Sequence, residues 1–175
     1  MTPDSIIREL RAARDDFHEL VDTASPSELR QRSAGTRWTN EQLLFHMLFG
    51  YLLVRNLLWL VRAFARLPDR WSRSFAAGLD AVTGPFHVVN YVGSLGGAAV
   101  LGRPRMERVM DGVIASLVRT LERSTEEQLA RGMHFPVGWD PYFRDYMTVQ
   151  DVLHYATEHY LHHRRQLTLG RAHDE

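Results

Sequence analysis

Apolar residues recur at helical spacing through most of the chain, and four long stretches carry the pattern. Between Pro3 and Thr23, the residues Ile6, Ile7, Leu10, Ala13, Phe17, Leu20 and Val21 share one stripe, with Arg, Asp and Glu between them. That is the pattern of an amphipathic outer helix. Thr39-Asn-Glu-Gln42 has capping-box form and opens a second helix, which runs to about Arg66 before Pro68 stops it. Trp38, just before the cap, is placed to staple onto Leu43 or a neighbour. A third helix opens at Pro104 and puts Met106, Val109, Met110, Val113, Ile114, Leu117, Val118 and Leu121 on one stripe, ending near Arg123. The last helix starts at Thr148, whose side chain caps the turn containing Asp151, and Gly170 is its natural stop.

Shorter signals fill the connections. Ser25-Pro26-Ser27-Glu28 and Thr125-Glu-Glu-Gln128 each start a brief helical turn. Residues 71–102 break regularity, because Gly84-Pro85 and a glycine cluster from Gly93 to Gly97 punctuate apolar pieces such as the one from Phe86 to Tyr91. Short helices and loops are expected there. Strand alternation of convincing length is missing, as is any internal repeat. The prediction is an all-α four-helix bundle with short extra helices in its connections, forming one domain over residues 1–175.

Composition narrows the classes. With 175 residues and 45% hydrophobic content the chain can build a proper core. Its formal net charge is zero and its pI is near 7.2, which excludes the basic face that a nucleic acid selects. All 21 basic residues are arginine, so no lysine is available for a Schiff base. Cysteine is absent, so a bound metal must take nitrogen and oxygen ligands. The N-terminus lacks the basic and apolar regions of a secretion signal, and a cytoplasmic location is expected. Residues 43–61 have the length of a membrane span, but they contain His46, Gly50, Arg55 and Asn56. A central helix buried almost all round is the better account, with no membrane partner.

The chemistry is concentrated in histidines. His159 and His163 are one helical turn apart and leave the same face, at the edge of the inward stripe formed by Val149, Val152, Leu153, Ala156, Tyr160 and Leu167, with Gln166 nearby. His154 and His162 turn toward solvent. His46 lies within the most apolar stretch, where an unpartnered imidazole is costly. Together the three histidines can form a facial triad that leaves a coordination position open for catalysis or ligand capture. Gly50, one turn after His46, leaves room beside that imidazole. Plainer readings remain open: a surface His pair, and a core His46 bonded to a backbone carbonyl. His18, His87, His134 and His173 have no distinguishing spacing and read as surface or loop residues. Tyr51, Trp59, Trp71 and Trp139 read as core or pocket wall, and Asp140 as a turn residue within reach of the site. No carboxylate pair or base is recognisable beside the histidines, so catalytic residues are not assigned.

The order Trp38-Thr-Asn-Glu-Gln-Leu-Leu-Phe-His46, then Thr148-Val-Gln-Asp-Val-Leu-His154, then His159-x3-His163-x2-Gln166 resembles the DinB-like superfamily of four-helix, metal-binding proteins. Its members include thiol-dependent transferases and mycothiol-dependent maleylpyruvate isomerases. The resemblance implies that His46, His159 and His163 hold a divalent metal, commonly zinc or nickel, with water in the remaining positions and with pairs of subunits associating. It implies a small-molecule substrate and a low-molecular-weight thiol cosubstrate of mycothiol type. Arginines near the mouth are candidates to bind that cosubstrate. A non-catalytic, stress-related metal- or ligand-binding bundle is the alternative. Residues 71–102 depart from the family pattern.

Overall fold

The structure, a computed structural model, describes residues 1–170. His173 lies outside the described residues. In chain order the elements are α1 (Pro3–Thr23), α2 (Pro26–Arg30), α3 (Asn40–Phe64), α4 (Asp69–Asp80), α5 (Thr83–Leu101), α6 (Arg103–Arg123), α7 (Glu126–Ala130), β1 (Gly132–His134), β2 (Tyr146–Thr148) and α8 (Val149–Arg164). Thr2, Ser25, Thr39, Thr125 and Thr148 each close a reciprocal capping box at a helix start. Caps of this kind contribute about 1 kcal/mol each.

Four long helices close into a ring, in which α1 packs on α6 and α8 while α3 packs on the same two from the other side. The predicted stripes face its interior: Ile6, Leu10, Phe17, Leu43, Met110, Leu117, Leu153 and Tyr160 belong to one core cluster. The bundle is therefore the one expected, all-α except for a small two-stranded ribbon. In that ribbon β1 and β2 pair antiparallel, Met133 opposite Met147, and the amide of Val149 donates to the Arg131 carbonyl at 2.8 Å. The strands are three residues each, too short to betray themselves by alternation.

The middle segment differs from expectation. Residues 71–102 hold no run of loops but most of α4 and all of the 19-residue α5, which lies outside the ring against α3 and α6. Pro85 falls in the first turn of α5, where its missing N–H breaks no helical bond. The glycine cluster lies within the helix, and Gly97 is there because the ring of Phe45 occupies the space a Cβ would need. Here glycine serves close packing, not a turn.

Smaller corrections follow from packing. α8 ends at Arg164; Gly170 comes after a further turn, adopts φ 68°, and donates its amide to Glu28 at 2.9 Å. The second half of α3 exposes Arg55, Asn56 and Trp59, so the helix is only partly enclosed. By length and composition α3 alone, among the described residues, is apolar enough to cross a membrane, and 56% of its apolar window is buried inside the protein. Tyr51 is core as expected, whereas Trp59 and Trp71 are exposed. His134 is buried on β1, with its Nδ1 3.0 Å from Asp145, while His18 bridges Glu107 and Asp111 and His87 is exposed.

Candidate metal centre

Adjacent helices α3 and α8 bring His46, His159 and His163 together. The ring centroids are 5.0 Å apart for His46 and His159, and 4.6 Å apart for each of the other two pairs. One nitrogen from each ring lies within 4.8 Å of the others. His46 and His159 are buried, and His163 is half-buried.

Hydrogen bonds on the outer side of two rings fix their tautomers. The Ser94 hydroxyl donates to the Asn90 carbonyl at 2.9 Å, so its oxygen is left to accept from His46 Nδ1–H at 3.2 Å. The Gln166 side-chain carbonyl accepts from His163 Nδ1–H at 2.7 Å. Both imidazoles therefore keep the Nε2 lone pair free, the arrangement found around metal-ligating histidines. His159 Nδ1 is buried without a partner among the described residues. It stands 2.6 Å from where a Cβ on Gly50 would be. The space beside Gly50, expected to receive metal or ligand, is thus filled by the His159 ring itself.

Burial controls the charge of the cluster. Loss of water, helped by the neighbouring His163, pushes His46 down to about 3. Burial and the other histidines hold His159 well below the usual imidazole value, and burial also lowers His163. All three are neutral at pH 7, with lone pairs available to a cation. Convergent neutral nitrogens and two fixed tautomers fit a divalent metal of borderline softness.

A cavity of about 180 Å³ adjoins the triad. Trp38 packs against the core and stacks its ring on His46 at 4.4 Å, forming one wall. Across the cavity Phe86 of α5 stacks on Trp139 at 3.8 Å. Trp139 sits in the loop joining β1 to β2, pinned to the end of α4 by its indole N–H on the Leu79 carbonyl at 3.0 Å and by the Gly138 amide on Asp80 at 3.1 Å. That anchoring delivers Asp140 to the site. Its Oδ1 accepts the Tyr142 amide at 2.9 Å, the turn role expected of it. Its Oδ2 accepts the Tyr155 hydroxyl at 2.9 Å and lies 3.9 Å from His159 Nε2. Burial and Asp140 raise Tyr155 well above the usual phenol value, so it remains a donor. Asp140 thus stands beside the triad but outside the three-nitrogen cluster.

Helical spacing alone turns His162 toward solvent. It lines the cavity instead, with Nδ1 3.1 Å from the Tyr142 hydroxyl, because the β1–β2 loop folds over that face of α8. His154 is partly buried against Glu9 at 2.9 Å. Among the described residues no arginine lines the cavity itself, but Arg37 and Arg144 line neighbouring grooves that share Trp38 and Asn90, and Pro141 and Tyr142, with it. Ser94, Tyr155 and Phe86 carried no signal in the sequence, since their roles depend on α5 and the loop folding back over α3.

A bundle with a buried, neutral three-histidine cluster between two of its helices defines a protein able to hold a divalent metal. The sequence profile of the DinB superfamily matches residues 9–167, and the chain belongs to that superfamily. No curated protein and no solved structure matches it.

The lowered histidines set a pH dependence for the metal-free protein. Below 6.5 the unfolded chain protonates these imidazoles while the folded chain does not, His46 holding out to about 3. Folding stability is then fully present above pH 6.5 and falls as the pH drops below it. Chelator-treated protein is expected to melt at a lower temperature at about pH 5 than at about pH 7, with added zinc raising the melting temperature most at the higher pH. A melting temperature of the metal-free protein that does not change across this range contradicts the assignment of three buried neutral rings.

Proposed function

We propose that this chain is a metal-dependent enzyme that holds zinc or nickel on His46, His159 and His163 and acts with a low-molecular-weight thiol of mycothiol type, as a transferase or isomerase. The observation that carries the reading is the convergence of three neutral imidazoles on a cavity that extends beyond them, in a chain with no cysteine of its own. An ion held there would favour the thiolate form of a thiol at its open position near neutral pH.

The protein's own residues orient and enclose. Ser94 and Gln166 hold two imidazoles in register, Trp38 excludes water over His46, and Asp140 is placed to accept a hydrogen bond from a protic ligand. In a transfer reaction sulfur forms a bond to an electrophilic carbon, the bond to the leaving group breaks with its electron pair, and the thiol proton departs with that group. In an isomerisation the sulfur adds and is later eliminated, so the thiol is regenerated. The proposal includes a cytoplasmic location and pairing of two copies. The pairing is supported by the outer face of α5, where Val88, Val89, Val92 and Val100 are exposed on a helix without a charged residue.

The test is metal content by inductively coupled plasma mass spectrometry on tag-free protein, wild type beside His163→Ala. Near-stoichiometric zinc or nickel that is lost in the variant is the expected result, and thiol-conjugation assays follow from it. Wild-type protein that stays metal-free after reconstitution overturns the proposal.

A further inference from the structure

Two grooves adjoin the triad cavity, and they differ in what their polar groups already hold. The one that shares Pro141 and Tyr142 with the cavity is bonded to its own surroundings: Arg144 donates to Asp151 at 2.6 Å, His154 stands 2.9 Å from Glu9, and the Gln150 amide donates to the Met1 carbonyl at 2.8 Å. The other, of about 470 Å³, lies between residues 35–38 and α5 and shares Trp38 and Asn90 with the cavity. It gathers the guanidinium of Arg37, the amide of Asn90 and the imidazole of His87 around the neighbouring rings of Trp38 and Tyr91, which are 6.0 Å apart and 23° from parallel. Planar amide and guanidinium groups can bond adjacent hydroxyls in pairs, and aromatic rings cover the C–H surface of a saturated ring. A single exposed arginine, by contrast, holds a simple anion weakly.

The groove is built in advance and leads to the triad. The Ser33 amide donates to the Trp38 carbonyl at 3.0 Å, the Trp38 amide to Thr36 Oγ1 at 3.0 Å, and the Ala34 amide to the Gln166 carbonyl at 2.7 Å, which fixes this turn to the residue that steadies His163. On α5, His87, Asn90 and Ser94 follow one another at helical spacing on one face, and Ser94 is the partner of His46. Trp38 stacks on His46 at 4.4 Å, so a ligand that spans the width of one indole passes from groove to triad. The Trp38 Nε1–H is buried without a partner among the described residues, a donor unused at that crossing.

We propose that the groove between residues 35–38 and α5 seats the polyhydroxylated ring portion of the thiol cosubstrate, Arg37 and Asn90 bonding its hydroxyls while its cysteinyl arm passes Trp38 and brings the sulfur to the three histidines. This rests on the thiol-dependent reading given above. It makes Arg37 and Asn90 cosubstrate-binding residues, and it leaves the apolar side of the cavity, with Phe49, Leu53 and Phe86, to the electrophile.

The test is isothermal titration of the metal-free full chain with S-methyl mycothiol, whose blocked sulfur forms no thiolate and so needs no ion. Two fragments are titrated beside it: S-methyl-N-acetylcysteine amide, which lacks the rings, and methyl N-acetyl-α-D-glucosaminide, which lacks the sulfur arm. The whole thioether is expected to bind about 10-fold or more tighter than either fragment. Arg37→Ala and Asn90→Ala should each weaken it by about 10-fold at an unchanged melting temperature, the loss of paired hydrogen bonds. Neither should alter binding of the cysteine fragment, and Arg144→Ala, in the other groove, should alter nothing. Equal affinity for the thioether and either fragment overturns the inference, as does a loss in Arg144→Ala that Arg37→Ala does not show. Failure of zinc to bind would defeat the metal-dependent enzyme and not this groove, because the metal-free titration reads the groove directly.

Discussion

Gly50→Ala is expected to strip the protein of its metal while leaving the bundle folded. The added methyl carbon would stand 2.6 Å from His159 Nδ1 and 2.9 Å from its Cε1, far inside contact distance. The ring has nowhere to retreat: it is buried, and its backbone is fixed in the middle of α8. It must rotate out of the cluster, leaving two ligands where three are needed. Metal affinity should fall on the order of 100-fold or more, beyond the usual cost of disturbing an outer partner. The contrast is Gly93→Ala, where a Cβ would meet nothing within 4 Å. That variant should retain metal and gain about 0.5–1 kcal/mol, because alanine suits a helix interior better than glycine. Metal titration with a competing chromophoric chelator separates the two, and equal affinities would show that His159 does not take part.

Gly97→Ala is expected to damage the fold more than the site. Its Cβ would fall within the ring of Phe45, a buried side chain on α3 next to His46. Either α5 lifts away or Phe45 leaves its rotamer, and overpacking of this kind costs about 1–3 kcal/mol. For a chain of this size that lowers the melting temperature by about 3–10 °C. Phe45→Leu in the same chain shortens the offending ring and should recover part of the loss, a coupling between neighbours that a double-mutant cycle measures. Additive losses in the double variant would mean the contact is not the cause.

These two glycines also show where sequence reasoning reached its limit. Hydrophobic stripes and capping boxes located α1, α3, α6 and α8 closely, because those helices are specified by local periodicity and by their own first turns. The i, i+4 spacing of His159 and His163, with His46 isolated in an apolar stretch, was enough to select the residues that the fold brings together. Gly97 gave the opposite impression. Its reason is a ring on another helix, and a local reading takes glycine for a break. Asp140 was visible as a turn former, but its approach to His159 depends on a loop pinned to α4 by Trp139 and Gly138. His162 changed sides for the same reason. What was missed was in each case non-local, set by packing between segments distant in sequence.

The tie between Gln166 and His163 makes assembly of the centre depend on segments distant in sequence. Gln166 also accepts the Ala34 amide at 2.7 Å through its backbone carbonyl, and Thr168 and Gly170 bond Asn40 and Glu28 just beyond. The segment that steadies the third imidazole therefore follows α8 in the chain and docks on residues that precede or open α3. A nascent chain, even with α1 to α6 complete, carries only His46 of the three ligands. Convergence of the three nitrogens therefore waits on α8 and on the docking of the segment that follows it.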